Sequence, residues 1–313
     1  MNKTISLLVL TGLIACQNPP ENTESPEKVV QEKWWTTPHL ITIEEAIAGH
    51  AAGRDWVWID IRKAENFAEG HVQGAHNIWR DDIQNMDTSY EGLMAGREQM
   101  EALMQKLGVN TGDTILIYDD KANVDAARFW WIMQVYGNEA VVMMNGGLHA
   151  WKNAGGAVVT SETAASTAGN FTLPETGNNA LYISLADAKT TWEQESAFWL
   201  DTRNTAEYSG AETKQGAAYG GHIPGAQLID YADAYQYHGD QGVKSKAELE
   251  ALYANYLNSD KNIVTYCHSG VRSAYTTFVL TELLGLKNVK NFDGSWVEWS
   301  HFDLPAESDS TEQ

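Results

Sequence analysis

Four short blocks occur twice along the chain, in the same order, and this duplication constrains the fold more than any other feature. WIDIRKAENF from Trp58 matches WLDTRNTAEY from Trp199, which lays Asp60 and Arg62 on Asp201 and Arg203. GHVQGA from Gly70 matches GHIPGA from Gly221, ILIYDD from Ile115 matches IVTYCH from Ile263, and GGLHAW from Gly146 matches GSWVEW from Gly294. An ordered series of matches means two copies of one folding unit, and 313 residues suffice for two cores of ordinary domain size. Within each copy, β-rich runs (56–59, 114–118, 263–266) alternate with longer helix-compatible stretches (126–135, 274–284). That alternation predicts an α/β fold of two duplicated domains, each a mostly parallel sheet flanked by helices. The boundaries fall at 33–156 and 180–306, with a polar linker at 157–179 and an acidic tail at 307–313.

The copies differ where chemistry could reside. Cys267 of the second stands where the first has Asp119, and an aspartate cannot act as a sulfur nucleophile. Thiol chemistry is therefore confined to the second copy. Cys267 follows a buried strand and precedes a helix expected to start near Ser273, at the sheet edge where α/β proteins bind ligands. A turn closing onto a helix N-terminus directs backbone N–H groups and positive potential inward, and both favour the reactive thiolate. Gly270 permits the bend. Arg272 adds a permanent charge, which can meet a substrate or fold back onto a carboxylate. A lone strand-end cysteine is also common as inert packing; the glycine and arginine after it and the aspartate in its duplicate favour the nucleophile.

With 42 acidic and 21 basic residues the formal charge is −21, which argues against nucleic acid or an anionic membrane surface as partner. An anionic substrate must then be held by local groups. The start, MNKTISLLVLTGLIAC, has one basic residue and an apolar run too short to span a bilayer, and reads as a signal segment over 1–15. Its Leu13-Ile14-Ala15-Cys16 ending resembles the lipobox of bacterial lipoproteins. The resemblance implies cleavage before Cys16, acylation of that residue, and a lipid-anchored protein of the bacterial cell envelope, followed by a flexible tether over 16–32. A plain secretory signal is the alternative. If Cys16 is acylated, Cys267 has no partner for an internal disulfide.

The Asp201-x-Arg203 strand end with Glu207 and Tyr208, the GGHIPGA block, the Cys267–Arg272 loop and FDGSWVEW together resemble the tandem-domain rhodaneses. In that sulfurtransferase family an inactive first domain packs against a catalytic second one. The resemblance covers about Thr37 to Pro305. It implies that Cys267 takes sulfur from a small anionic donor such as thiosulfate, holds it as a persulfide, and yields it to cyanide or a thiol, with no metal or organic cofactor. The loop His268, Ser269, Gly270, Val271, Arg272 and Ser273 would cradle the sulfur. His268 could bring a proton or a charge to the donor, or simply face solvent. Arg203 could line the pocket or pair with Asp201 and Glu207, and His222 and the tryptophans of the repeated blocks read as packing residues. Mercaptopyruvate members of the family usually carry an arginine where Glu207 stands, so thiosulfate is the preferred donor and 3-mercaptopyruvate the alternative. Two further readings stand beside these: a phosphatase, whose related loop is one residue longer than the six from Cys267 to Arg272, and a non-catalytic sulfur- or thiol-binding lipoprotein.

Overall fold

A computed structural model describes residues 33–161, 163 and 167–308; the signal segment, Cys16 and the tether lie outside them. The first half forms a five-stranded parallel sheet from β1 (Leu40–Ile41), β2 (Trp56–Asp60), β3 (His76–Asn77), β4 (Thr114–Tyr118) and β5 (Val141–Met144), in the order β1-β5-β4-β2-β3. The second half repeats it with β6 (Tyr182–Ile183), β7 (Ala197–Asp201), β8 (Gln227–Leu228), β9 (Asn262–Tyr266) and β10 (Val289–Phe292), in the order β6-β10-β9-β7-β8. The central strands are short continuous apolar runs such as TILIY and NIVTY, as strands covered on both faces must be. Helices α1 (Ile43–Ala51), α2 (Ala64–Glu69), α3 (Arg97–Lys106), α4 (Val124–Val135) and α5 (Gly147–Asn153) flank the first sheet. Their counterparts α6 (Leu185–Glu193), α7 (Thr205–Ser209), α8 (Lys246–Leu252), α9 (Val271–Phe278) and α10 (Ser295–His301) flank the second.

The two halves meet through α4 and α9, the helices that follow the two duplicated strand-end loops. Every residue of α4 is buried, including Trp130 and Trp131, because one side faces its own sheet and the other faces α9. Trp130 packs edge-on against Phe278 of α9, ring centres 4.9 Å apart. A single apolar core thus runs from the inner face of one sheet to that of the other, while each outer face has a smaller core of its own around Trp58 and Trp151 or Trp199 and Trp299. Burying about 200 Å² of an indole at about 25 cal/mol per Å² contributes at most about 5 kcal/mol per tryptophan. The shared core therefore holds the cleft between the domains in a fixed geometry.

Two sequence expectations change in detail. The helix after Cys267 begins at Val271 rather than Ser273, since Gly270 with φ +77° takes the cap position, and it continues as a π-helical turn over Val279–Leu283. The stretch between the copies is strapped onto the first domain. His71 and Val159 exchange backbone hydrogen bonds, Gly169 N–H donates to Gln105 O, and Phe171 and Leu173 are buried in the core.

Candidate active site

Cys267 lies at the carboxyl end of β9, and the next three residues turn back to open α9 at Val271. Its N–H donates to Ser295 Oγ at 3.1 Å, and its carbonyl accepts from Trp296 N–H at 3.1 Å, so the start of α10 fixes the backbone on both sides. The thiol is 1% exposed. Burial by itself pushes its pKa up, but the Arg272 charge, the Ser273 hydroxyl and the N–H groups of Ser273 and Ser269 outweigh it and hold the thiol below its ordinary range. The Ser273 hydroxyl is fully buried and meets no hydrogen-bond partner among the described residues, which leaves it free to turn toward the sulfur whose ionised form it favours. A buried cysteine used only for packing would be surrounded by apolar groups with no donors aimed at it. This one sits in a cradle of donors.

Arg272 folds back. Its guanidinium binds Glu207 in bidentate fashion, Nη1 to Oε2 at 2.6 Å and Nη2 to Oε1 at 2.8 Å, and Lys214 Nζ lies 2.8 Å from the same carboxylate. Burial alone would raise the pKa of Glu207, but Arg272 and then Lys214 hold it down at about 2. Of the two roles the sequence allowed Arg272, the observed one is pairing, though its charge still acts on the thiol. Arg203 faces away from the cleft: it is buried, donates to both oxygens of Asp201 and to Gly221 O, and lies over the rings of Tyr266 and Trp296. Arg62 repeats this with Asp60 and Gly70 O in the domain without the cysteine, as a structural clamp would. His222 stacks on Tyr208 and hydrogen-bonds its carbonyl, so it packs the turn. His268 lines the cleft with Nε2 2.9 Å from Gln215 O; burial first of all lowers its pKa, which leaves the ring neutral at pH 7 and its Nε2–H donating to that carbonyl.

The first domain's loop shows what Asp119 does there. Its Oδ1 accepts the N–H groups of Lys121 and Asn123, both at 2.8 Å, and its Oδ2 those of Asp125 at 2.7 Å and Ala126 at 3.1 Å. The anion cradle is retained and filled by the protein's own carboxylate. The polar loop 119–125 is therefore turned in on itself rather than open to the cleft.

Residues of the first domain nevertheless form much of the cleft. A cavity of about 660 Å³ lies between Trp79, Arg80, Ile83, Met86 and Gly92 of the first domain and Lys214, Gln215, His268, Ser269, Val271 and Val297 of the second. Gly92, with φ +107°, sits so close to the Cys267–Arg272 loop that an added Cβ would lie 2.7 Å from Ser269 Cβ. Arg128 of α4 reaches across with Nη2 to Asp293 Oδ1 at 2.5 Å and to Gly92 O at 2.8 Å, and Nη1 to Gly270 O at 3.3 Å. No local motif marks these residues, because they reach the site across the domain boundary. The usable signal was indirect: Trp79 and Arg80 follow the GHVQGA block, where the second copy has Asp230 and Tyr231.

Comparison with known proteins is consistent with this geometry. The profile of the rhodanese-like domain matches twice, over residues 43–154 and 184–302. The chain belongs to the rhodanese family. It is 32% identical over 295 residues to a thiosulfate sulfurtransferase of Corynebacterium glutamicum, covering 90% of each chain. It is 34% identical over 242 residues to the sulfur carrier protein TtuD of Thermus thermophilus, covering 74% of this chain and 83% of that one. Among solved structures, the 3-mercaptopyruvate sulfotransferase SseA of Escherichia coli superposes with a TM-score of 0.72 at 25% identity, over 83% of this chain and 99% of that one. The rhodanese described here is a sulfurtransferase with a duplicated fold. Among its described residues no group of three or more His, Cys, Asp and Glu could hold a metal ion, and no helix is long and apolar enough to cross a membrane.

Proposed function

We propose that this rhodanese transfers sulfane sulfur from thiosulfate, or a closely related oxyanionic donor, to a thiophilic acceptor such as cyanide or a thiol, with Cys267 as the carrier. The Cys267 thiolate attacks the outer sulfur of the donor, the S–S bond breaks, and sulfite leaves with the bonding electron pair. The terminal sulfur of the resulting persulfide carries the negative charge and lies among the N–H groups of Ser269 and Ser273 and the Ser273 hydroxyl, which were already aimed at the thiolate. An acceptor nucleophile then takes that outer sulfur and restores the thiolate. The observation that carries this reading is the convergence of these donors and Arg272 on one buried sulfur.

Glu207 supports thiosulfate over 3-mercaptopyruvate as donor. A carboxylate stands where a keto-acid clamp would need an arginine, and it neutralises Arg272 as well. The name borne by the Corynebacterium relative points the same way. The six-residue turn from Cys267 to Arg272 suits one added sulfur atom better than a phosphate group. Turnover of thiosulfate and cyanide by the wild type and by Cys267→Ser, with 3-mercaptopyruvate and p-nitrophenyl phosphate as comparison substrates, tests all three readings. Faster turnover of either comparison substrate would overturn the choice of donor or of reaction. We further propose that the protein is anchored in the cell envelope by lipid on Cys16; the support is the lipobox-like ending of its first sixteen residues. Membrane fractionation of the wild type and Cys16→Ala tests this, and equal solubility of the two would contradict it.

A further inference from the structure

The proposed donor is an anion, yet most cations around Cys267 are already engaged. Arg272 and Lys214 share Glu207, and Arg128 is buried against Asp293, Gly92 O and Gly270 O. Arg80 differs. Only its Nε is committed, to Asp125 Oδ1, and among the described residues its two Nη groups make no hydrogen bond. Its side chain is 39% exposed, and it lines the same cavity as His268, Ser269 and Val271 of the catalytic loop. Burial lowers its pKa, but the hydrogen bond to Asp125 and the charges of Asp125, Asp119 and Cys267 together raise it, so the guanidinium stays charged. A planar fork with free N–H groups is the side chain best shaped to grip an oxyanion.

The mount of Arg80 gives the silent domain a purpose. Asp125 is 2% exposed as a side chain, and its N–H is tied to Asp119 Oδ2 in the self-filled cradle. Arg80 also lies over the Trp79 ring, 5.3 Å from its centre. The chain Asp119, Asp125, Arg80 thus runs from a rigid, chemically inert loop of one domain to the mouth of the reactive loop of the other.

We propose that Arg80, carried by the catalytically silent domain, is the donor-binding cation of this enzyme, its free Nη groups holding the oxyanion end of the donor while Cys267 attacks the sulfur at the other end. This rests on the reading that Cys267 is loaded by an oxyanionic donor. Asp125 acts through Arg80 and is a positioning residue.

The test uses Arg80→Gln combined with Asp125→Asn, so that no buried carboxylate loses its partner, alongside Arg80→Lys. Two readouts apply: the split between KM for thiosulfate and kcat, and the rates at which iodoacetate and iodoacetamide alkylate Cys267, reagents that differ by one negative charge. Losing a charge-assisted grip should raise KM roughly 10- to 100-fold while kcat at saturation changes by no more than about threefold. The ratio of iodoacetate to iodoacetamide rates should fall several-fold, with Arg80→Lys in between. An unchanged KM, or two alkylation rates that fall together, would overturn the assignment. If the wild type takes no sulfur from thiosulfate, the proposed function fails instead, and the alkylation ratio still decides the role of Arg80.

Discussion

Glu207→Gln removes one carboxylate from between two cations, and its cost can be worked from the structure. Glu207 is 1% exposed, accepts both arms of Arg272 and lies 2.8 Å from Lys214. Burial opposes its ionisation, yet those cations bring its pKa from the ordinary 4.5 to about 2. That gap corresponds to about 3 kcal/mol of stability, at about 1.4 kcal/mol per pH unit. A depressed folded pKa contributes fully above the unfolded value and loses its contribution as pH falls through the folded one. The contribution should therefore be complete at pH 6–7, decline below about pH 4.5 and be gone near pH 2. Urea unfolding of wild type and Glu207→Gln should differ by about 3 kcal/mol at pH 7, and the difference should narrow steadily below pH 4.5. A second consequence concerns the thiol. Arg272 without its counter-ion exerts a stronger field on Cys267, so the midpoint of the pH dependence of alkylation should move to lower pH. A stability difference independent of pH, or a thiol midpoint that rises, would refute the reasoning.

Other perturbations follow from the same geometry. Arg128→Met leaves Asp293 buried without its partner and should cost about 3–5 kcal/mol, measured by chemical denaturation; a loss below about 1 kcal/mol would show that the cross-domain pair is not needed. Gly92→Ala drives a Cβ to within 2.7 Å of Ser269 Cβ, at a φ of +107° that L residues rarely adopt. It should lower kcat/KM at least about tenfold while far-ultraviolet circular dichroism stays native, and unchanged kinetics would mean that the loop tolerates displacement. His268→Asn should leave the pH profile of sulfur loading between about pH 7 and 8 unaltered, because burial holds the native ring below its ordinary 6.5 and so mostly neutral there; the loss of a kinetic pKa in that range would contradict this.

How much could be read from the sequence depended on whether information was local. The strands at 114–118 and 263–266 are apolar runs framed by turn residues, and they appear where the composition places them. The Cys267 loop was legible because cysteine, glycine and arginine lie within six residues, with a duplicate in which aspartate replaces the cysteine. Arg203 was separable from the site only in three dimensions, since the same Asp-x-Arg spelling serves as a clamp in both domains. The pairing of Arg272 with Glu207 joins residues 65 positions apart, and Arg80 reaches the cleft from the other domain. Neither spacing carries a periodic or motif signal. Likewise, α4 is buried on every side, Asp125 and Arg128 included, because it is sandwiched between its own sheet and α9, a fact of domain packing rather than of helix amphipathicity.

The claim on which the account rests is that Cys267 is held as a thiolate able to carry one additional sulfur atom. Mass spectrometry of the intact protein after brief exposure to thiosulfate, with the released sulfite measured in parallel, tests it most directly. The account predicts a gain of one sulfur atom per chain matched by one sulfite, absent in Cys267→Ser and reversed by cyanide. No gain in mass, or the same gain in Cys267→Ser, would contradict it.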